Sequence, residues 1–458
     1  MTMCTAPVDE RMEPGHRSSM RRGACPSLAT PMITGDGLLV RLRPAGPGFT
    51  LSELTAVADA AEACGNGILE ITARGNLQIR GLTAETVPRL AAKIADAGIE
   101  IAEGLAIETP PLAGLDPSEI VNPLPLAAQL RAAVIAYRPS LTLAPKLSIL
   151  IDGGGQLHLG DVTADIRLRA GCAGDKTVWL LALAGTEAAS RRIALLEEPS
   201  VIPAVIDILK TLSAMGEGAR ARDIDATLLQ AGLVSVADVD AVEPLKPAPN
   251  SAGIHALGVE RKVLGVGLAF GQIRAQELRT FLEAMEILGA TDIRLAPGHA
   301  LMVLGLAPER FAAAQALALG HGLRAFPLDP RNHIAACAGV GACASALIDT
   351  RATAQTVIDA APGLLDGSLA VHVSGCAKGC AKPSASALTI TAAPIGYGLV
   401  VNGPASAPPN AYIEEKTIRS AIERLEALVR QRKRAGESAR SCLTRLGADV
   451  ITTAVQQG

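Results

Sequence analysis

The sequence predicts an α+β protein built by duplication, in which two β-α-β-β-α units alternate with two longer α/β stretches about a pseudo-twofold axis. Three observations predict it. The apolar pattern switches between a period of two and one near 3.6 in a fixed order, which marks strands and helices. That order recurs without a gap at an offset of 224 residues, the step from Val40 to Leu264. Each copy is followed by a stretch rich in turn residues, PPLAGLDP at 110–117 after the first and a cysteine-bearing segment after the second.

The first unit opens with LLVRL (38–42), which alternates like a strand. Thr50-Leu-Ser-Glu53 has the spacing of a capping box and starts an apolar-periodic helix that runs to about Cys64 and stops at Gly65. ILEITA (68–73) and LQIRG (77–81) are two short strands around a turn at Arg74–Asn76. Thr83 caps a second helix that ends near Ala97. This order is a ferredoxin-like half. The offset carries Glu53 onto Glu277, Gly65 onto Gly289, Gly81 onto Gly305 and Gly98 onto Gly322, so the positions where helices stop and strands turn coincide. The copies differ in polarity. Thr72, Arg74, Gln78 and Arg80 give the first a polar, cationic strand face, whereas Ala296, Gly298, Met302 and Leu304 stand at the matching places of the second.

The stretch after the first copy contains LTLAPKLSILIDGGG (141–155), which reads as a strand, a loop at Lys146, a second strand and a glycine turn. KPAPNSA (246–252) is a linker, and a long amphipathic helix is expected over about 412–435. The organisation is therefore a flexible tail (1–22), a first half-unit (23–104), an α/β domain (105–251), the second half-unit (252–326) and a second α/β domain (327–458). The tail carries Arg11, Arg17, Arg21 and Arg22 and no apolar run, so it is not read as an export signal.

Composition excludes several function classes. The chain of 458 residues has 42 basic and 45 acidic side chains, and this near-balance argues against a nucleic-acid surface. Aromatic residues are only 2%, too few for a binder that stacks bases. No run approaches the roughly 20 apolar residues of a membrane span. A cytoplasmic protein is expected. The Gly153–Gly155 run lacks the spacing and following helix of a dinucleotide fingerprint.

The chemistry lies in the cysteines. Cys337 and Cys343 are separated by five residues, Cys376 and Cys380 by three, and small neighbours surround both pairs. Without an export signal, close pairs point to metal or redox chemistry before disulfides. Zinc ribbons favour two-residue spacing, and these pairs are wider. Four cysteines with no histidine in either pair suit a [4Fe-4S] cluster better, with zinc or free buried thiols as the alternatives. Arg74, Gln78 and Arg80 make the polar, cationic strand face where an anionic substrate would be met. Lys378 and Lys382 flank the cysteines, as do His333 and His372, which read as core residues before ligands.

The duplicated halves, Thr72-Ala-Arg74-Gly-Asn-Leu-Gln78 and the two cysteine pairs resemble the sulfite and nitrite reductase superfamily. The resemblance implies two reductase-type α/β domains, a [4Fe-4S] cluster on Cys337, Cys343, Cys376 and Cys380, and an anion-binding role for Arg74; with it, Arg74, Gln78, Arg80 and Lys146 become the substrate-binding candidates, Arg74 and Lys146 also as catalytic residues. It also implies sirohaem bridged by the last cysteine. Two departures stand out. The reductases' Lys-x-Lys is reduced here to Lys146-Leu-Ser148, and their second arginine has no counterpart over Leu105–Glu108. The strings Arg22-Gly-Ala-Cys-Pro, Pro111-Leu-Ala-Gly-Leu-Asp116-Pro, His372-Val-Ser-Gly-Cys and Gly398-Leu-Val-Val-Asn402-Gly resemble the precorrin-3B synthase branch. That branch implies an O2-dependent monooxygenase acting on precorrin-3A in aerobic cobalamin biosynthesis, hydroxylating C20 with closure of a γ-lactone. It implies a mononuclear non-haem iron beside the cluster and an electron donor, either an NADH-linked reductase or a ferredoxin-type protein. A sirohaem-dependent sulfite or nitrite reductase and a non-catalytic iron–sulfur carrier or sensor are the alternative readings.

Overall fold

The computed structural model describes residues 26–137, 140–382 and 384–456. The expected tail and Cys25 lie outside them. Four five-stranded sheets organise the chain.

The first unit contains β1 (Met32–Thr34), β2 (Gly37–Leu42), β3 (Phe49–Thr50), α1 (Leu51–Cys64), β4 (Ile68–Ile71), β5 (Leu77–Leu82) and α2 (Thr86–Asp96). The capping box forms as expected: Thr50 accepts from the Glu53 amide while the Glu53 carboxylate accepts from the Thr50 amide. Thr83 accepts from the Thr86 amide at the start of α2. Gly65 ends α1 for a different reason than a left-handed turn. Its backbone is extended, at φ −118°. A Cβ there would fall 2.3 Å from the Arg80 carbonyl oxygen, so close approach demands the glycine.

Next come β6 (Ala106–Glu108), α3 (Leu124–Tyr137), β7 (Ser148–Asp152), β8 (Ala164–Ala173), β9 (Lys176–Gly185), β10 (Arg191–Leu196), α4 (Glu198–Met215) and α5 (Ala226–Gly232). The strand expected over Leu141–Ala144 does not form. Pro145 removes a ladder donor, and the Thr142 amide donates instead to Ser213 Oγ at 2.8 Å. The repeat follows with β11 (Gly253–Leu257), β12 (Arg261–Gly267), β13 (Gln272–Arg274), α6 (Ala275–Ile287), β14 (Asp292–Ala296), β15 (Ala300–Leu304) and α7 (Phe311–Gly320). The starts of β12, α6 and β14 fall 224 residues after those of β2, α1 and β4.

The last stretch holds β16 (Ile334–Ala336), α8 (Thr350–Ala360), β17 (Val371–Ser374), β18 (Ser386–Ala393), β19 (Gly396–Gly403), β20 (Ala411–Ile413), α9 (Ile418–Arg432) and α10 (Ala439–Gln456). The single long helix expected over 412–435 is thus a strand and a shorter helix. Ala411–Ile413 alternates buried and exposed and pairs with β19.

Two sheets, β1-β2-β5-β4-β13 and β11-β12-β15-β14-β3, belong to the repeats, and each takes its last strand from the other copy. Phe49 and Thr50 pair with β14, and Gln272–Arg274 pair with β4. This exchange fuses the halves into one core, with Val40, Leu54, Leu90, Leu278, Phe281 and Val303 all buried. The other two sheets, β10-β9-β8-β7-β6 and β16-β17-β18-β19-β20, share one topology: three parallel strands, then two antiparallel ones. No helix among the described residues is long and apolar enough to cross a membrane.

Candidate metal centre and active-site face

The four cysteines come from the loops that follow the first two parallel strands of the last sheet. Cys337 comes directly after β16, and Cys376 lies two residues beyond β17, so the ends of neighbouring strands bring both loops to one edge. The loops are tied together by their backbones: Leu347 N–H donates to Gly375 O at 2.9 Å, and Cys337 N–H to Val373 O at 3.3 Å. Gly375 N–H donates to Cys337 Sγ at 3.2 Å, the amide-to-sulfur contact a cluster ligand uses. Thr350 donates to Cys337 O and Lys378 to Ser345 Oγ, each from a neighbouring segment.

The thiols act on one another. Burial pushes the Cys380 thiol up, and Cys376, Cys337 and Cys343 push it further. A positively charged metal centre relieves that penalty, because binding replaces the thiol protons. The donor set, the shared edge and the amide donor fit a [4Fe-4S] cluster. Among the described residues, no three His, Cys, Asp or Glu side chains form a group that would hold a single metal ion. His372 lies beneath this loop. Burial lowers its pKa to about 4, the Lys382 charge adding to the effect, and neither ring nitrogen has a hydrogen-bond partner among the described residues. His333 is half-buried at the end of a short helical turn.

The matching loops of the first α/β stretch follow β6 and β7 and carry no cysteine. Carboxylates hold them instead. Asp116 accepts from Ser118 and from the Gln156 amide, Asp152 from the Gly154 and Leu159 amides, and Glu119 from the Gly114 amide. The PPLAGLDP and glycine-run motifs are therefore knotted together at this edge by carboxylate-to-amide hydrogen bonds. The apolar strand face of the second repeat packs on it, with Ala296, Ala300 and Met302 against Leu112 and Leu157.

Arg74 sits at the tip of the β4–β5 hairpin. Gly75, at φ +79°, turns the chain there, and a Cβ on it would fall 2.8 Å from the Ala296 backbone. The hairpin is braced by Gly298 N–H donating to Ala73 O and by His299 Nδ1 donating to Ile71 O. Arg74 keeps 33% of its side chain exposed and reaches across to the first α/β sheet, donating to Thr163 O and to Glu108 Oε2 at 2.5 Å each. The Leu105–Glu108 segment thus presents a carboxylate to Arg74. Lys146 is exposed in a turn before β7, and its ammonium makes no ion pair among the described residues. Arg220 donates to its carbonyl.

Gln78 and Arg80 correct the expectation of an open cationic strand face. They are 6% and 4% exposed, and over Arg80 lies the Cys337–Cys343 loop, whose Ala342 carbonyl accepts from its guanidinium. The Arg80 guanidinium binds Asp36 through two nitrogens, at 3.0 and 2.9 Å, and Glu70 at 2.9 Å, and it donates to Ala342 O inside that loop. A substrate would have to displace these partners. The sequence signal for this network was Asp36 and Glu70, which the strand alternation alone did not single out.

Residues 30–97 match the family model for the Nitrite/Sulfite reductase ferredoxin-like half domain. A Precorrin-3B synthase from Sinorhizobium sp is 54% identical over 461 residues, covering 100% of this chain and 99% of that protein. The chain belongs to the precorrin-3B synthase family. It stands within the sulfite and nitrite reductase-like superfamily. Sulfite reductase [ferredoxin] 1 of Mycolicibacterium paratuberculosis is 21% identical over 77% of this chain and 69% of its own length. The Mycobacterium tuberculosis NirA structure superposes with a TM-score of 0.72 at 18% identity, over 90% of this chain and 84% of that one. The α+β fold with ferredoxin-like halves is therefore the superfamily's. Precorrin-3B synthase family members are enzymes, and this chain is one, of oxidoreductase type.

Proposed function

We propose that the chain converts precorrin-3A to precorrin-3B as an O2-dependent monooxygenase in aerobic cobalamin biosynthesis, hydroxylating C20 while a ring A acetate closes as a γ-lactone. The observation that carries the reading is the full-length relative at 54% identity that bears the name. The site is consistent with it. A small dianion is held best by several converging cations. Here Arg74 faces Glu108 across a salt bridge, and Lys146 is followed by Ser148 where a second lysine would stand. A macrocycle edged with carboxylates needs spaced cations instead. Arg74 and Lys146 supply two, with Gln78 behind Arg74 on the same hairpin.

Cys337, Cys343, Cys376 and Cys380 would hold a [4Fe-4S] cluster, which supplies one-electron transfer when bound. Arg74 orients the substrate by a bidentate contact to one carboxylate, through the Nε–H and the Nη2–H that its contacts to Thr163 and Glu108 do not use. Lys146, exposed on its turn, meets a second carboxylate. One atom of O2 enters the product and the other leaves as water, so two electrons must come from a donor, an NADH-linked reductase or a ferredoxin-type protein. The branch also implies a mononuclear non-haem iron, but no three His, Cys, Asp or Glu side chains among the described residues form a group that would hold it, and no step is assigned to it; sirohaem belongs to the alternative reading. The seven described cysteines are all free, which suits a cytoplasmic, reducing setting.

The test is anaerobically purified holoprotein with a reductant. O2 consumption that depends on precorrin-3A, without sulfite- or nitrite-dependent oxidation of reduced viologen, is the expected result. Rapid viologen oxidation by sulfite would replace the reading with a reductase.

A further inference from the structure

Arg80 has a partner set that substrate binding does not explain. Its charge is buried at 4% exposure, yet it remains fully ionised: burial opposes the charge, and Asp36 and Glu70 outweigh burial. The contacts continue in both directions. Thr34 and Asn66 donate to Asp36. Gln272, on the strand that the second repeat lends to this sheet, donates to Glu70 at 3.3 Å and accepts from Arg351 at 3.1 Å. Arg351 follows Thr350, whose hydroxyl donates to Cys337 O. The chain of polar contacts therefore leaves the first repeat, passes through the second, and reaches both ends of the Cys337–Cys343 loop. The β1–β2 turn presses on the same loop, since a Cβ on Gly35 would fall 2.4 Å from Ala344 N.

The pseudo-twofold provides an internal comparison. In the second repeat Arg294 does a similar task toward the other edge, donating to Pro111 O and Ala113 O of the cysteine-free loop at 3.2 and 2.8 Å. Each repeat thus holds the loop of one α/β sheet by a buried arginine bound to backbone carbonyls. Only the Arg80 loop carries cysteines.

We propose that Arg80 is a positioning residue for the metal centre, fixing the Cys337–Cys343 loop against the sheet that carries Arg74 and Gln78. The proposal rests on the reading of the four cysteines as a [4Fe-4S] site. It removes Arg80 from the substrate contacts and makes it the link between the hairpin of Arg74 and the cluster loop. Lysine cannot replace it, because an ammonium has three donors and no planar fork with which to hold Asp36, Glu70 and Ala342 O together.

The experiment compares Arg80→Lys with Arg294→Lys in the full-length holoprotein, reading iron and sulfide content, the reduced-cluster EPR spectrum, the midpoint potential and the rate of bleaching by a chelator. Arg80→Lys is expected to alter the EPR line shape and potential and to bleach several-fold faster. Arg294→Lys is expected to lower the melting temperature while leaving all cluster readings at wild-type values. If Arg80→Lys does not fold, Asp36→Asn, which keeps the arginine but removes the charge of its two-point partner, is expected to speed bleaching in the same direction. Wild-type spectra and bleaching in the Arg80 and Asp36 variants, or equal effects from Arg294→Lys, would overturn the proposal. Wild-type protein without about four irons and four sulfides per chain would overturn the metal-centre reading, and the proposal with it.

Discussion

Replacing Arg74 by Ala separates a substrate contact from a structural one. In the unliganded protein Arg74 spends two donors on Thr163 O and Glu108, and a third of its side chain faces solvent. A charge-assisted contact to a substrate carboxylate is worth roughly 1.5–3 kcal/mol. Losing it weakens precorrin-3A binding about tenfold to 150-fold. Part of that loss comes from Glu108, which keeps only 18% of its side chain exposed and is left facing the substrate's carboxylates. Arg74→Ala combined with Glu108→Gln should therefore recover binding by roughly 0.5–1 kcal/mol, a coupling typical of neighbouring charges. The assay is an anaerobic absorbance or fluorescence titration with precorrin-3A, beside thermal denaturation. An unchanged Kd with a lowered Tm in Arg74→Ala would refute the reasoning and leave Arg74 as a tie between the hairpin and the first α/β sheet.

Four further outcomes follow from the same structure. Ala at any of Cys337, Cys343, Cys376 or Cys380 should abolish the four-iron EPR signal, while Ala at exposed Cys172 or buried Cys442 should leave it, as iron and sulfide analysis will show. Burial raises Glu119 to a pKa of about 7, nearby Asp116 and Asp152 adding to it, so the folded state holds a proton that the unfolded chain releases near pH 4.5. Stability should then fall as pH rises from about 4.5 to about 7, and Glu119→Gln should flatten that part of a Tm-against-pH curve. Gly35→Ala should displace the cysteine loop and lower iron content per chain, because its Cβ would meet the Ala344 backbone. Phe281→Ala, at a side chain fully buried in the core shared by the two repeats, should cost roughly 3–5 kcal/mol in denaturant unfolding.

The fold was legible wherever local chemistry decides structure. The Thr50 capping box and the offset that carries β2, α1 and β4 onto β12, α6 and β14 are local patterns, and they formed as read. The strand exchange was not legible, because β3 and β13 have only two and three residues and carry no periodicity. Gln78 and Arg80 show the same limit at the site. Alternation placed them on one face, but what covers that face comes from a loop more than 250 residues later in the chain, Ala342 against Arg80. The cysteine pairs were visible in their spacing, whereas the carboxylate knot at the matching edge became visible only once Asp116, Glu119 and Asp152 were seen to accept backbone amides. The Glu108 partner of Arg74 could have been suspected from the missing arginine in its segment, yet nothing local joins residues 34 positions apart.

The oxygen source tests the central claim most directly. Holoprotein, reductant and precorrin-3A are incubated under 18O2 in ordinary water, and the product is analysed by mass spectrometry. One labelled oxygen on the hydroxylated macrocycle carbon is the predicted result. Unlabelled product, with label entering only from H2 18O, would contradict the monooxygenase account.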